Sequence, residues 1–513
     1  MRKYDCVVIG AGNGGLSAAV KILMGGKSCL VCEKHNIPGG FATSFVRGRF
    51  EFEASLHEFN GIGNEEKCGS TKKMFDELGV SDLIEWIQVK NAYRLISKEE
   101  KIDFVLPFGV DNIIKACDSL CENGGIEAKK IIDLSKTIYE AVGYLSDSKG
   151  KPDPEIMKTK YYDYLATSSY SVNEVFESLK TPEIIKNVLS AYWSYLGVDF
   201  NNMSFVHYAN MTYSYYSMGA TVPKLRSHEL SLAFEKRIHD LGGDIFFNTE
   251  VKRILTDDFG HVSGVELANG EIINTKHVIA NCSPHVVYGK MLDPKVIPER
   301  ALKLCNFRKF AGRGITIFLG LKGSPKDLGI TEHSYFIYNS SDSVKMYNQM
   351  SDVNHHVGQA TCCLNNVNPD CSPEGTTILY MTSLYFDDVW KDIKEKDYYK
   401  FKNQVAEKFI EDFENATGAT LKGHIEEIAI ATPLTYARYC GHPQGVIYGY
   451  EGKYDDGLMA RVMMVEEDAF IKGLRFGSAY GEREIGFPSS YKSGYNEAKR
   501  TLKDMEKEDS LDV

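Results

Sequence analysis

The chain has 513 residues, 43% of them hydrophobic, and a formal net charge of −11. This length exceeds what one simple core supports, so we expect two domains or one dinucleotide-binding domain with large insertions. The acidic balance, without a cluster of basic residues, argues against nucleic acid as a partner. No apolar run approaches eighteen residues, and Asp5 interrupts the apolar start of the chain at once. We therefore expect a cytoplasmic protein with at most peripheral membrane contact.

The twelve cysteines are scattered along the chain. Cys29 and Cys32 fall within one predicted strand, where side chains alternate in direction, and Cys362 and Cys363 are adjacent. We expect reduced thiols rather than a disulfide framework, and no metal site.

The strongest pattern begins at residue 6. The apolar run 6–9 predicts a strand buried in a parallel sheet, and it continues directly into a glycine turn. Gly10, Gly12 and Gly15 have the G-x-G-x-x-G spacing, with Asn13 and Gly14 between them. Gly10 permits a tight turn, Gly12 lets backbone approach a pyrophosphate, and Gly15 lets a helix pack against the strand. The sequence therefore predicts a dinucleotide-binding turn.

The residues after the turn complete a βαβ unit. A helix is predicted over 16–24, and its N-terminus would face the phosphates of the cofactor. A second strand is predicted over 28–31, and Glu33 follows where a carboxylate accepts hydrogen bonds from an adenosine ribose. Because strand, turn, helix, strand and acid all occur in order, an ordinary βα turn is the weaker interpretation.

Further motifs occur along the chain. A second glycine turn, Gly39-Gly40, follows Glu33, and a hairpin is predicted at Asn269-Gly270. The other stretches that carry motifs are 242–254, 277–284, 432–449 and 486–494. In these motifs the chain resembles the flavoprotein superfamily of amine oxidases and carotenoid desaturases, and within it the phytoene desaturases, carotenoid isomerases and retinol saturases. The resemblance implies an α/β fold of amine-oxidase type, with a Rossmann-type FAD-binding domain and a second substrate domain of antiparallel sheet plus helices.

The resemblance also implies that FAD is the cofactor and which residues bind it. Phe41 stands where relatives often have Arg, and Glu484-Ile485 stand before Gly486 where many relatives have glycines and Asp. The residues implied to bind FAD are Gly10, Gly12, Asn13, Gly14, Gly15, Glu33, Lys34, Gly39, Gly40, Phe41, Val251, Asn281, Gly477, Ser478, Gly486, Phe487, Pro488 and Ser489.

We assign 1–61, 221–299 and 432–513 to the FAD-binding domain, and 62–220 and 300–431 to the substrate-binding domain. The first insertion is predicted to be mainly helical, with Ser171 as a helix cap. The second is predicted to contain a helix over 397–417 that Gly418 ends. Strands predicted over 315–319, 335–338 and 378–384 would form an antiparallel sheet. We expect the substrate to lie between that sheet and the flavin.

Ten of the 30 tyrosines fall between residues 161 and 216. One interpretation is that their rings fill the boundary of packed helices with the hydroxyl outward. The other is an aromatic tunnel with polar groups for an elongated substrate. Both interpretations are compatible with the sequence.

The resemblance implies chemistry at a carbon–carbon double bond of an elongated apolar substrate such as a carotenoid, a retinoid or another unsaturated lipid. Desaturation, saturation and cis–trans isomerisation all remain open, as does the identity of the electron donor or acceptor. A flavin amine oxidase is the alternative, and a non-catalytic dinucleotide-binding protein is a second one.

The candidate catalytic residues are His57, Glu53 and Glu58, because in relatives this stretch passes beside the flavin. If the chain is extended here, Glu53, Ser55 and His57 share a face opposite Phe52, Ala54 and Leu56. A histidine with an ordinary pKa near 6.5 can move a proton in either direction. The alternative for His57 is a hydrogen bond to backbone.

Overall fold

A computed structural model describes residues 2–64, 67–148, 151–386, 388–452, 469–482 and 485–511. The first sheet is parallel and has five strands. Its central strands are buried along their whole length, as the unbroken apolar runs predict. In spatial order the strands are Asp244–Phe246, Cys29–Cys32, Cys6–Ile9, His277–Ala280 and Leu474–Phe476.

Three helices pack together beside this sheet: Asn13–Met24, Ser227–Asp240 and Phe487–Leu511. The first has ten buried residues, because its small and aliphatic side chains leave room for close packing. Tyr491 stacks on Phe234 with 4.8 Å between ring centroids, so chain segments far apart in sequence share one core.

A second sheet has four strands, three of which follow the parallel-sheet strand Asp244–Phe246 in sequence. Val251–Thr256 pairs antiparallel with Val262–Leu267, which pairs antiparallel with Ile272–Asn274. The short strand Arg2–Lys3 adds parallel to the last of these. The hairpin predicted at Asn269-Gly270 is confirmed, because these residues connect two paired strands.

The third sheet has seven strands and is antiparallel except for one pair. The helix Glu395–Thr417 packs on it and ends at Gly418, where φ is +76°. In spatial order its strands are Ile425–Ala431, Arg313–Lys322, Thr376–Tyr385, Gly358–Cys363, Ser334–Tyr338, Asn91–Ser97 and Ile102–Pro107.

Two short antiparallel pairs complete the strands, Ser44–Arg47 with Phe50–Glu53 and Trp86–Gln88 with Thr221–Pro223. The helices between residues 62 and 220 are Ser70–Leu78, Val110–Cys117, Gly124–Asp147, Pro154–Thr159, Tyr162–Thr167, Val172–Leu179, Glu183–Leu189, Trp193–Leu196 and Phe205–Met218. The remaining helices are Pro284–Val286, Glu299–Phe307, Pro325–Leu328, Ser343–Gln349 and Pro433–Cys440, with a π-helical turn at Val287–Met291. Across the described residues, no helix combines the length and the apolar character needed to cross a bilayer.

The predicted α/β fold with a second sheet-and-helix unit is confirmed. The cap at Ser171 is also confirmed, since its hydroxyl accepts from the backbone N–H of Glu174. The first insertion is mainly helical, as predicted, and it also contributes the strands Asn91–Ser97 and Ile102–Pro107 to the seven-stranded sheet. The helix Ser70–Leu78 packs with the parallel-sheet unit through Phe75, although our boundary lay at residue 61.

Candidate functional site

A single cavity of about 1080 Å³ runs from the glycine turn into the interior between the two units. It opens at the carboxyl ends of the parallel strands Cys6–Ile9 and Cys29–Cys32, the place where open parallel sheets bind their ligands. Fifteen of the eighteen predicted FAD-binding residues line it: Gly10, Gly12, Asn13, Glu33, Lys34, Gly39, Gly40, Phe41, Val251, Asn281, Ser478, Gly486, Phe487, Pro488 and Ser489.

The other three, Gly14, Gly15 and Gly477, do not line the cavity. A Cβ on Gly15 would overlap the carbonyl oxygen of Gly10, which confirms its predicted role in close packing of helix and strand. A Cβ on Gly14 would lie 2.6 Å from the backbone nitrogen of Ser478, so this glycine lets the closing segment approach the turn. Gly14 and Gly15 therefore allow close backbone packing around the site without lining it.

The turn is fixed by hydrogen bonds to Glu33. One carboxylate oxygen accepts from the backbone N–H of Ala11 at 2.7 Å, and the other accepts from the N–H of His35 at 2.8 Å. Gly10 has φ of +95°, as the tight turn requires. The N–H of Gly39 donates to the carbonyl of Ala11 at 2.7 Å, so the second glycine turn is joined to the first.

The cavity wall around the turn has the polar groups that a dinucleotide needs. No side chain caps the N-terminus of the helix Asn13–Met24. Its first backbone N–H groups are therefore left for a bound anion such as a pyrophosphate. The amide oxygens of Asn13 and Asn281 are buried without a partner among the described residues. Lys34 also lines the cavity. Burial lowers the pKa of His442 to about 4, and the charge of Lys34 makes a smaller contribution in the same direction. These residues fit FAD.

The closing segment contributes an unusual backbone. Ser478 has φ of +63°, a conformation that a non-glycine residue adopts at a cost of about 1–3 kcal/mol. It lines the cavity beside Asn281 and the glycine turn. Gly486 follows with φ of +98° and leads into the helix Phe487–Leu511. Glu484, where the sequence differs from the closing motif of many relatives, lies outside the described residues.

The tyrosine-rich segment divides into two groups. Three of its buried phenols donate to backbone carbonyls, Tyr208 and Tyr216 to that of Leu189 and Tyr192 to that of Ala92. Tyr195 and Tyr215, in contrast, line the cavity. The packing interpretation therefore describes the first group and the cavity interpretation describes these two.

His57 lies in a chain of polar side chains along the cavity wall. Its Nδ1 is 3.4 Å from the Tyr195 hydroxyl and its Nε2 is 3.4 Å from the Thr382 hydroxyl. Thr382 lies 3.0 Å from the hydroxyl of Thr316, which accepts from the Tyr436 hydroxyl at 2.7 Å. Burial, with a smaller contribution from His333, lowers the pKa of His57 to about 3. The imidazole is therefore neutral at neutral pH.

Glu58 also lines the cavity and is 6% exposed. Neither of its carboxyl oxygens has a partner in hydrogen-bonding geometry among the described residues. Burial raises the pKa of Glu58 to about 8, against a smaller opposing effect of the Tyr192 phenol. This side chain is a neutral carboxylic acid at neutral pH.

Glu53 is placed differently from the prediction. The strand ends at Glu53, so the chain is no longer extended from there to His57, and the shared face does not form. The carboxylate accepts from the N–H and hydroxyl of Ser227, both at 2.7 Å, and from the N–H groups of Ser55 and Leu56. It is 1% exposed and does not line the cavity.

Several cavity residues carried no signal in the sequence. Thr316 and Thr382 become neighbours because they are paired across antiparallel strands. Tyr436 and Tyr448 reach the cavity from the stretch 432–449, which was named as a motif although no site role was assigned to these two residues. Such contacts depend on strand register over long sequence separations, which local patterns do not encode.

Known proteins are similar to this chain over most of its length. An all-trans-retinol 13,14-reductase from Macaca fascicularis is 25% identical over 492 residues, 90% of this chain and 79% of that protein. A chloroplastic prolycopene isomerase from Daucus carota is 25% identical over 475 residues, 87% and 72% of the two chains. The structure of a putrescine oxidase bound to putrescine superposes with a TM-score of 0.63 at 12% identity and covers 98% of this chain and 99% of that one.

The family model for flavin containing amine oxidoreductases matches residues 14–398. This range contains the helix of the glycine turn, Glu33, the second glycine turn and most of both units. The cofactor is therefore FAD, and the chain belongs to the flavin containing amine oxidoreductase family as a flavin-dependent oxidoreductase or isomerase.

Proposed function

We propose that this enzyme changes a carbon–carbon double bond in an elongated apolar substrate, such as a retinoid, a carotenoid or another unsaturated lipid. The observation that carries the proposal is the lining of the cavity away from the glycine turn. There it includes Leu196, Met211, Ile447 and Tyr448, which are apolar or aromatic. A long hydrocarbon buries its surface in such a chamber, at roughly 25 cal/mol for each Å² removed from water.

The relatives support the same chemistry. Their names place one reaction on a double bond of retinol and the other on the geometry of prolycopene, and both similarities extend over most of this chain. Because the two reactions differ in net redox change, the relatives support the substrate class more than the direction.

In this proposal the cavity-lining residues around the glycine turn hold FAD. Glu33 binds the ribose, the N-terminus of the helix Asn13–Met24 faces the pyrophosphate, and Asn281 and Ser478 contact the cofactor beside the glycine turn. FAD supplies hydride transfer when bound. The chain itself orients the substrate, excludes water and provides the group that moves a proton.

A flavin amine oxidase is the second candidate, and the putrescine oxidase similarity favours it at the level of fold. A cationic amine needs a negative charge or an electron-rich aromatic wall. The aromatic wall is present, but the buried carboxyl that lines it, Glu58, is neutral at neutral pH. This difference places the amine second.

The test uses FAD-saturated protein under anaerobic conditions, once oxidised and once chemically reduced. Each form is incubated with all-trans-retinol, prolycopene, an unsaturated fatty acid and putrescine, and products are separated by mass and by isomer. We expect conversion of at least one unsaturated lipid and no flavin reduction by putrescine. Flavin reduction by putrescine alone would establish the amine oxidase instead. Protein that releases no flavin on denaturation would support a non-catalytic binding protein.

A further inference from the structure

Glu58 is a buried acid that the fold does not use. Both carboxyl oxygens are shielded from solvent, and neither has a hydrogen-bonding partner among the described residues. Leaving such a group unpaired costs about 1–3 kcal/mol, so a structural role alone does not explain it. Glu53, in the same segment, differs from Glu58 because its carboxylate accepts hydrogen bonds from four donors, as expected of an acid with a structural role.

The surroundings of Glu58 favour its protonated form. The side chains that interact with it are the phenols of Tyr192, Tyr195 and Tyr215 and the thiol of Cys362. Burial raises the pKa of each of these four groups above its ordinary value, so all four are neutral near pH 7. In the described part of the chain, no lysine or arginine forms an ion pair with Glu58. A proton on this carboxyl is therefore held without a competing charge.

His57 is the opposite case. Both of its ring nitrogens lie 3.4 Å from hydroxyl groups, those of Tyr195 and Thr382, and its ring contacts the rings of Tyr195 and Tyr380. Its main-chain carbonyl accepts from His333 at 2.9 Å. These contacts fix the imidazole of His57 in place. The imidazole can therefore position the phenol of Tyr195, which interacts with Glu58.

We propose that Glu58 is the proton donor of this enzyme and that His57 is a positioning residue. The proposal rests on the proposed function and assigns it the direction of saturation. Reduced FAD held in the cavity would supply a hydride to one alkene carbon, and the other carbon would form a C–H bond to the carboxyl proton of Glu58. The π bond would be lost as the flavin is oxidised, and Glu58 would be left as a carboxylate that solvent reprotonates. An external two-electron reductant restores reduced FAD.

The first test measures protonation directly. Infrared difference spectra between the parent and Glu58→Gln, both with oxidised FAD at pH 6.5, should show the carbonyl band of a protonated carboxylic acid in the parent only. A carboxylate band in its place would overturn the proposal. This measurement does not depend on turnover.

The second test follows oxidation of bound reduced FAD by a lipid from the panel in a single turnover. Glu58→Gln should slow this step about hundred- to ten-thousand-fold, with substrate affinity within threefold of the parent. Glu58→Asp, which keeps an acid, should recover part of the rate, whereas His57→Gln should slow it less than tenfold. FAD content and the unfolding midpoint of each variant establish that it is folded.

The outcomes separate the two proposals. An active parent whose Glu58→Gln variant keeps its rate overturns the assignment of Glu58 and leaves the proposed function standing. A parent that converts no lipid in the panel overturns the proposed function and the role of Glu58 with it. A folded Glu58→Gln that fails to bind substrate indicates a binding role instead, and also overturns the proposal.

Discussion

At the scale of single residues, Glu33 shows how well a local pattern predicts a site. Its position after the second strand predicted a ribose-binding acid, and it does line the cavity. The structure adds that the same carboxylate accepts the N–H groups of Ala11 and His35. Glu33 therefore both shapes the glycine turn and faces the cofactor groove.

Replacing Glu33 by Ala should weaken FAD binding about ten- to hundred-fold. The reason is the loss of charge-assisted hydrogen bonds, each worth about 1.5–3 kcal/mol. Glu33→Gln keeps an acceptor oxygen and should lose less. Flavin fluorescence after serial dilution measures the dissociation constant in each variant. Parent-like affinity of Glu33→Ala would show that the ribose is held elsewhere.

His57 and Glu58 show what a local pattern leaves out. Their position in the chain placed both beside the cavity, and both line it. Their protonation depends on burial and on neighbours from residues 192 to 382, which are distant in sequence. The sequence prediction gave His57 an ordinary pKa, and its lowered pKa of about 3 is one reason why we propose Glu58 as the proton donor instead.

At the scale of elements, the βαβ unit was predictable because its signals are contiguous. The strand Cys6–Ile9 has its predicted bounds, and the helix starts at Asn13, three residues before the predicted start. The strands Asn91–Ser97 and Ile102–Pro107 were not predicted. Asn91–Ser97 is stabilised by parallel pairing with Ser334–Tyr338, more than two hundred residues away. Such pairing overrides local preference.

Glu53 joins two elements, and this gives an element-scale prediction. Its carboxylate lies at the N-terminus of the helix Ser227–Asp240, where a negative charge is favoured, and accepts from Ser227. Glu53→Ala leaves buried donors unpaired and should lower the free energy of unfolding by about 2–4 kcal/mol. Glu374→Ala, where the residue is exposed, should cost less than about 1 kcal/mol. Denaturant unfolding of both variants measures this, and equal losses would contradict it.

At the scale of the whole molecule, the site exists because the two units meet. The aromatic rings of Phe45 and Phe52 pack on Phe318 of the seven-stranded sheet, at 5.0 and 5.9 Å between centroids. Thus the strands that follow the second glycine turn are anchored to the other unit. The polar chain from Tyr195 through His57 to Tyr436 likewise draws on segments from both. Composition and motifs predicted two units, but their contact surface required the structure.

Protonation of buried acids makes the stability of the whole molecule depend on pH. The pKa of Glu58 is raised by burial to about 8, and that of Glu497 by burial to about 7, with Arg500 and Arg475 opposing. A raised pKa means that the folded state binds the proton more tightly than the unfolded chain. Its stabilising contribution is complete below the unfolded pKa near 4.3 and is lost as pH rises through 7 to 8. His57, with a pKa lowered to about 3, has the opposite sign but acts below pH 6.5.

We therefore expect the free energy of unfolding to fall between pH 6.5 and 8.5, with Glu58 contributing about 2 kcal/mol of the loss. Glu58→Gln should remove that share, because an amide does not titrate, so parent and variant should have similar stability at pH 6.5 and the variant should be the more stable at pH 8.5. Glu497→Gln should remove a smaller share. Urea unfolding of the FAD-bound proteins at both pH values provides the measurement. A Glu58→Gln variant with the pH dependence of the parent would mean that Glu58 is already ionised at pH 6.5, and the proton it is proposed to donate would then be absent.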